Sequence, residues 1–385
     1  LPGQYYASDL LMDELKSLDI NTLASKEGTV EFKTELQEIL TNWQSNFDLE
    51  AGPVYSIGYL YGYADGNARV WFALHHLLVD AVSWRIIAED LRAIYEGEDL
   101  GVKGSSYRQW AAALDGYAQQ HKHEQSYWQN VLSDYDGVLL ESMVDDAKIT
   151  NYANVELDQK QTELLLTKVN AAYNTQINDL LITAIAYALQ DLTGNSIQHF
   201  VLEGNGREEI NAELDINRTV GWFTTIYPVR VEVQYNLGES LKYIKETLRQ
   251  VPIKGIGYGA LLGYTSGDLP KISFNYLGVF DKEAEIAGWN IVNEGSGVTT
   301  AFENYDLNII NINGLTIDGS LRFSIASKLT KDCTEHLAQV FITKVQEIIN
   351  HTMSIGRTYL TVSDVSNIIS KSSLDRLQTA REIDG

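Results

Sequence analysis

Val54-Tyr55-Ser56-Ile57-Gly58-Tyr59-Leu60-Tyr61-Gly62-Tyr63 runs into Asp65-Gly66-Asn67 and then into Ala68-Arg69-Val70-Trp71-Phe72-Ala73-Leu74. Two runs rich in β-branched and aromatic residues, joined by a polar turn with glycine at its centre, predict a β-hairpin. The sheet it belongs to is therefore at least partly antiparallel. Upstream, Leu36, Ile39, Leu40, Trp43 and Phe47 recur at helical spacing. Downstream, Val82 to Tyr95 reads as a helix closed at Gly97, and Gln109 to Leu132 as one long helix or two. Residues 137–154 mix polar and short apolar pieces and read as a crossover. The second half continues in the same style. Helices are expected at Leu164 to Tyr173, at Ile177 to Leu192 (capped by Thr175 or Asn178, ended at Gly194), at Leu237 to Gln250 and at Glu335 to Asn350. Strands are expected at His199 to Leu202, Ile272 to Tyr276, Thr316 to Ile325 and Glu303 to Ile312. The pattern predicts an α/β (α+β) chain of two halves, 1–145 and 146–385, with no internal repeat.

The chain has 385 residues, 44% of them hydrophobic, enough for a sizeable core. Lys plus Arg number 29 and Asp plus Glu 52, a formal net charge of −23. That argues against a broad nucleic-acid or anionic-membrane surface. The single Cys333 excludes an intramolecular disulfide and a cysteine-based zinc site. No apolar run is long enough to span a bilayer, and the first residues carry no signal-peptide pattern. A cytoplasmic location is the default. The chain starts at Leu1 without an initiator Met, which suggests a piece of something longer.

Chemistry concentrates at His75-His76-Leu77-Leu78-Val79-Asp80-Ala81-Val82-Ser83-Trp84. Strand alternation carried on from Leu74 would put His76 on the face of Val70, Phe72 and Leu74, and His75 on that of Trp71 and Ala73. The two imidazoles are then expected to do different jobs, one structural and one facing a cavity. Imidazole is the side chain best suited to moving protons near neutral pH. Asp80 can orient a ring or cap the following helix. The plainer reading makes both histidines satisfied core groups and Asp80 only a cap. A metal site is not expected, since neighbouring strand residues point apart and no further His lies nearby in sequence. A second group is Leu202-Glu203-Gly204-Asn205-Gly206-Arg207-Glu208-Glu209, where a carboxylate follows a short strand and glycines allow close backbone approach. Burial would make that carboxylate hold its proton more tightly and serve as a base or acid. The alternative is a polar turn with Arg207 in an ion pair. Gly204-x-Gly206 lacks the third glycine of a dinucleotide site. Arg218 to Thr225 sets Trp222 and Phe223 beside Gly and Thr, Lys254 to Gly259 is rich in glycine, and Phe274-Asn275-Tyr276-Leu277-Gly278 puts two polar groups on opposite faces of a strand. Asn275 or Tyr276 could donate to an oxyanion, whereas core packing is the usual role of aromatics and a flexible turn that of glycines.

Taken in order, these segments resemble the epimerization domain of nonribosomal peptide synthetases, within the condensation superfamily. The match is His75-His76-x-x-x-Asp80-x-x-Ser83-Trp84, Glu203-Gly204-x-Gly206-Arg207-Glu208, Arg218-Thr219-Val220-Gly221-Trp222-Phe223-Thr224, Pro252-x-x-Gly255-x-Gly257-Tyr258-Gly259 and Phe274-Asn275-Tyr276-Leu277-Gly278. Arg357 to Leu377 looks like the family's tail. Ala81 stands where the family usually has Gly, and Asn205 where it usually has His. The family's first strand and helix are missing ahead of Leu1, and Leu262 to Pro270 is short for the family.

The resemblance implies a fold like chloramphenicol acetyltransferase: two similar halves in a V-shaped pseudo-dimer with a central tunnel and the active site at their junction. It implies inversion of the α-carbon of an aminoacyl or peptidyl thioester, L to D, without metal or pyridoxal. The domain itself would bind no cofactor. The 4'-phosphopantetheine arm would come from an upstream peptidyl carrier (thiolation) domain, with a downstream condensation domain as a further partner. His76 and Glu203 are expected to flank the α-carbon, with Tyr276 steadying the enolate or shaping the cavity and Asn275 second to it. His75, Asp80, Ser83, Trp84, Asn205 and Arg207 would support them. The rivals are a condensation domain, which shares the double-His motif but forms an amide, and an inactive module that only docks carriers.

Overall fold

A computed structural model describes residues 14–145, 149–264, 269–280, 289, 292, 294–300 and 306–383. They form two compact units, and the division is not a single cut at 145. Unit 1 takes the chain to Trp110 and then borrows Ala212–Phe223 and Ala287–Asp306, while unit 2 takes Ala111–Asn211, Thr224–Ile286 and Leu307 onward. The helices after Trp110, assigned above to the first half, thus belong with the second. The reason is packing: Trp128 is fully buried in the core of unit 2.

In unit 1, β1 (Lys16–Asp19) pairs parallel with β2 (Tyr55–Tyr61), and β2 pairs antiparallel with β3 (Arg69–Leu74), as the hairpin predicts. Helix α1 (Val30–Gln44) starts where Thr29 Oγ1 accepts from Phe32 N–H, and buries Phe32, Leu36 and Leu40 against Leu60 and Trp71. Gly58 has no alternative: a Cβ there would lie 2.4 Å from the Trp43 ring. Helix α2 (Ala81–Tyr95) follows β3, and α3 (Tyr107–Gln120) lies across the 110/111 division.

Unit 2 continues with α4 (Gln125–Leu132), a short α5 (Val138–Ser142), β4 (Asn151–Leu157), α6 (Gln159–Thr167), α7 (Ile177–Thr193), β5 (Ile197–Gly204), β6 (Thr225–Glu232), α8 (Leu237–Arg249), α9 (Ile256–Leu262), β7 (Ile272–Phe280), β8 (Ile310–Ile317), β9 (Ser320–Ser327), α10 (Lys331–Met353) and α11 (Lys371–Ile383). Its sheet runs β4-β9-β8-β7-β5-β6. The β5–β7 and β7–β8 pairs are parallel and the others antiparallel. Helix α7 is buried on nearly every side from Leu180 to Leu189 and is the centre of the core, with Leu337, Phe341 and Val345 of α10 in the same cluster.

Several expected boundaries moved for identifiable reasons. The α7 start is set by Gln176, whose backbone N–H donates to Asp179 Oδ2 at 2.7 Å, and not by Thr175 or Asn178. Gly194 closes it at φ 75°. Thr316 to Ile325 is not one strand. Asp318 and Gly319, at φ 51° and 72°, make the hairpin turn between β8 and β9. Strand β6 carries Pro228, which hid it from a strand reading; it lies at the sheet edge, where proline is tolerated. The first residues of Glu303 to Ile312, and residues 265–268 of the short stretch before Pro270, lie outside the described residues.

Candidate active site

The His motif does not continue the strand. β3 ends at Leu74, and His76–Leu78 form a 3₁₀ turn, so strand alternation does not set the two rings. Their surroundings differ nonetheless. His75 Nδ1 accepts from Leu77 N–H at 3.2 Å, which places the proton of the neutral ring on Nε2. That ring also meets Phe47 edge-on. His76 is exposed, and its ring centroid lies 4.8 Å from that of Trp222.

Unit 1 obtains Trp222 by holding the borrowed segment tightly. Asp80, buried, caps α2 by accepting from Ser83 N–H at 2.7 Å, and its other carboxylate oxygen accepts from Phe223 N–H at 3.1 Å. Ser83 Oγ donates to Gly221 O at 2.9 Å and accepts from Gly221 N–H at 3.0 Å. Tyr107 donates its hydroxyl to Trp222 O at 2.8 Å, and its ring meets Phe223 edge-on. Gly221 must be glycine, because a Cβ would lie 2.3 Å from the Tyr107 ring. Arg218 pairs with Glu89 and Asp90. Trp84 is 38% exposed on the first turn of α2 and takes no part in this clamp. Asp80 is thus both cap and anchor. Asp80→Ala should cost about 2–4 kcal/mol from the lost cap and the lost acceptor of a buried N–H. Asp80→Asn, which keeps acceptors, should lose less. Equal loss in urea titrations of the two variants would contradict this role.

In unit 2, Glu203 is the penultimate residue of β5, beside Asn275 on β7. Its Oε2 accepts from Asn275 Nδ2 at 2.8 Å. Glu203 is exposed. Asn205 closes the turn by accepting from Arg207 N–H at 3.1 Å, and Glu208 pairs with Lys254 at 3.1 Å. The glycine-rich stretch is not a loose turn. Gly255, at φ 89°, lies flat on Tyr227, where a Cβ would come within 1.9 Å of the ring. The Lys254 carbonyl sits 3.0 Å from where a Cβ of Gly204 would be, so the backbone behind Glu203 is fixed by close approach.

Tyr276 is not on this face. Its hydroxyl lies 2.9 Å from Thr316 Oγ1, and its ring stacks on Phe323, with Phe274 and Ile312 of the helix-covered core. Alternation along β7 puts Asn275 with Glu203 and Tyr276 on the opposite side. The structure therefore joins Glu203 to Asn275, joins His76 to Trp222 through Asp80 and Ser83, and separates Tyr276 from Glu203. The ring contact between Trp222 and His76 was missed from sequence. Its signal was the Gly-Trp-Phe run, which core packing also explains.

Among the described residues no helix is long and apolar enough to cross a membrane, and no cluster of His, Cys, Asp and Glu is arranged to hold a metal.

Comparison with known proteins matches residues 7–368 to the family model described as Condensation domain. The N-(5-amino-5-carboxypentanoyl)-L-cysteinyl-D-valine synthase of Amycolatopsis lactamdurans is 37% identical over 92% of this chain, which spans 10% of that protein. Surfactin synthase subunit 1 of Bacillus subtilis is 32% identical over 96% of the chain, again a small part (11%) of its length. Among solved structures, the epimerization domain of the third module of tyrocidine synthetase B superposes with TM-score 0.76 and 32% identity, covering 89% of this chain and 81% of that one. The condensation domain of the Monacolin K polyketide synthase MokA has TM-score 0.63 and 14% identity, covering 89% and 80%, which is a likeness of fold.

Proposed function

The chain belongs to the condensation-domain family, and from that membership we propose that it epimerizes the α-carbon of an aminoacyl or peptidyl thioester carried on a phosphopantetheine arm. The observation that carries this reading is likeness in sequence as well as fold to an epimerization domain, against likeness in fold alone to a condensation domain. The α-proton beside a thioester is weakly acidic, so inversion needs a base, an acid for the opposite face of the carbon, and stabilisation of the enolate oxygen. His76 and Glu203 supply the base and the acid. Asn275 orients the Glu203 carboxylate through the 2.8 Å bond from its Nδ2. Asp80 and Ser83 hold the segment that faces His76. The arm comes with a carrier domain, as expected for a piece of a multidomain synthetase. The name of the Amycolatopsis relative contains D-valine, which makes valine the residue to try first.

Two carrier domains, one bearing an L-valyl thioester and one bearing a free aminoacyl acceptor, separate this reading from amide formation. Mass spectrometry should find both carriers at unchanged length, and chiral analysis of the released acid should find D-valine on the first. A lengthened chain on the acceptor carrier would overturn the proposal in favour of condensation.

A further inference from the structure

We propose that the indole N–H of Trp222 donates the hydrogen bond that stabilises the substrate's thioester oxygen as it becomes an enolate. The proposal rests on the epimerization reading above. Three observations point to it. Trp222 Nε1 is buried and has no hydrogen-bond partner among the described residues. Buried donors are nearly always paired, because leaving one unpaired costs free energy in the folded state. The residue is also held rather than merely accommodated. Its carbonyl accepts from Tyr107, and its two neighbours are fixed by Ser83 and Asp80. Finally, the ring lies against His76, centroids 4.8 Å apart and planes inclined by 48°. A fixed donor beside a proton-transfer group is the arrangement that stabilises charge developing on a neighbouring oxygen.

The chemistry is complementary to that of His76. An indole N–H is a donor only and cannot remove the α-proton. When the base takes that proton, the C–H electron pair becomes the C=C bond of the enolate and the carbonyl π pair moves onto oxygen. Trp222 donates to that oxygen without bonding to it covalently. Return of the pair to the α-carbon takes up a proton on the opposite face, so nothing is oxidised or reduced. Tyr276, on the helix-covered face and bonded to Thr316, does not serve this oxygen in place of Trp222.

Trp222→Phe removes the donor and keeps a ring against His76. With a carrier bearing an L-valyl thioester in D₂O, deuterium uptake at the α-carbon should fall about 10²–10³-fold, in kcat far more than in KM, because the bond strengthens as charge reaches the oxygen. A second measurement needs no variant. The chain has seven Trp residues, and one indole N–H resonance should move downfield on adding a carrier loaded with 2-aminoisobutyryl thioester, which has no α-proton to lose. Exchange at the wild-type rate in Trp222→Phe, or no indole resonance moving, would overturn the assignment. If the wild-type protein itself exchanges no deuterium, the epimerization reading fails and this assignment falls with it, an outcome visible before any variant is made.

Discussion

Glu203→Gln and His76→Ala should each slow α-proton exchange of a carrier-bound valyl thioester by about 10²–10⁴-fold, the usual worth of one positioned proton-transfer group. Gln is the sharper probe at 203. It matches the carboxylate in shape and keeps an oxygen that can accept from Asn275 Nδ2, as Glu203 does at 2.8 Å. What it loses is the capacity to take a proton. A large fall in exchange with unchanged stability then reports chemistry rather than folding. At 76 the side chain is exposed, so truncation to Ala removes the imidazole without opening a core cavity. His75→Ala is the internal comparison. Its ring caps a 3₁₀ turn, so its loss should act mainly on stability. Deuterium uptake read by mass spectrometry checks all three. Wild-type rates in both Glu203→Gln and His76→Ala would remove these residues from the mechanism.

The largest effect on stability is expected far from those residues. Lys245 is 1% exposed, and its ammonium donates to both oxygens of Asp364 at 2.7 and 2.6 Å and to the Tyr173 carbonyl at 2.9 Å. Asp364 also accepts from Asn174 at 2.7 Å and from Thr361 N–H at 2.7 Å. This cluster fastens the segment after α10 to α8. Asp364→Ala leaves a buried ammonium with a single carbonyl and should cost about 3–5 kcal/mol in urea unfolding. Replacing both partners by apolar residues, Lys245→Met with Asp364→Leu, should cost less than the single change. A smaller loss for Asp364→Ala alone would contradict the account. The pair also fixes a pH signature. Burial raises the Asp364 carboxyl, but the bonds from Lys245, Thr361 and Asn174 outweigh it and hold the group below its ordinary value. A carboxylate lowered in the folded state contributes stability that is fully present above its unfolded pKa of about 3.9. That stability is lost as pH falls through the lower folded value. Wild type and Asp364→Ala should therefore converge in strong acid and separate above pH ~5.

Much of this was legible in the chain because local chemistry and global fold agree there. The Asp65-Gly66-Asn67 turn, the α1 apolar stripe and Gly194 each say locally what the fold requires. The misses come from tertiary context. Pro228 argues against a strand unless the strand is known to be an edge. Gln176 caps α7 only because Asp179 reaches back to its backbone. That Ala212–Phe223 leaves its sequence neighbours to join unit 1 depends on Asp80, Ser83, Ser105 and Tyr107, all more than a hundred positions away. The motif residues were found by their order along the chain. Alternation correctly separated Asn275 from Tyr276, but only the register of β5 on β7 shows that Asn275 is the one beside Glu203.

The central claim is inversion at the α-carbon, and one reaction tests it. The chain is mixed in D₂O with a carrier domain bearing an L-valyl or peptidyl-L-valyl thioester, and the released acid is analysed for chirality and mass. The account predicts D-valine that carries one solvent deuterium at the α-carbon. L-valine recovered without deuterium from both substrates, with the carrier bound, would contradict it.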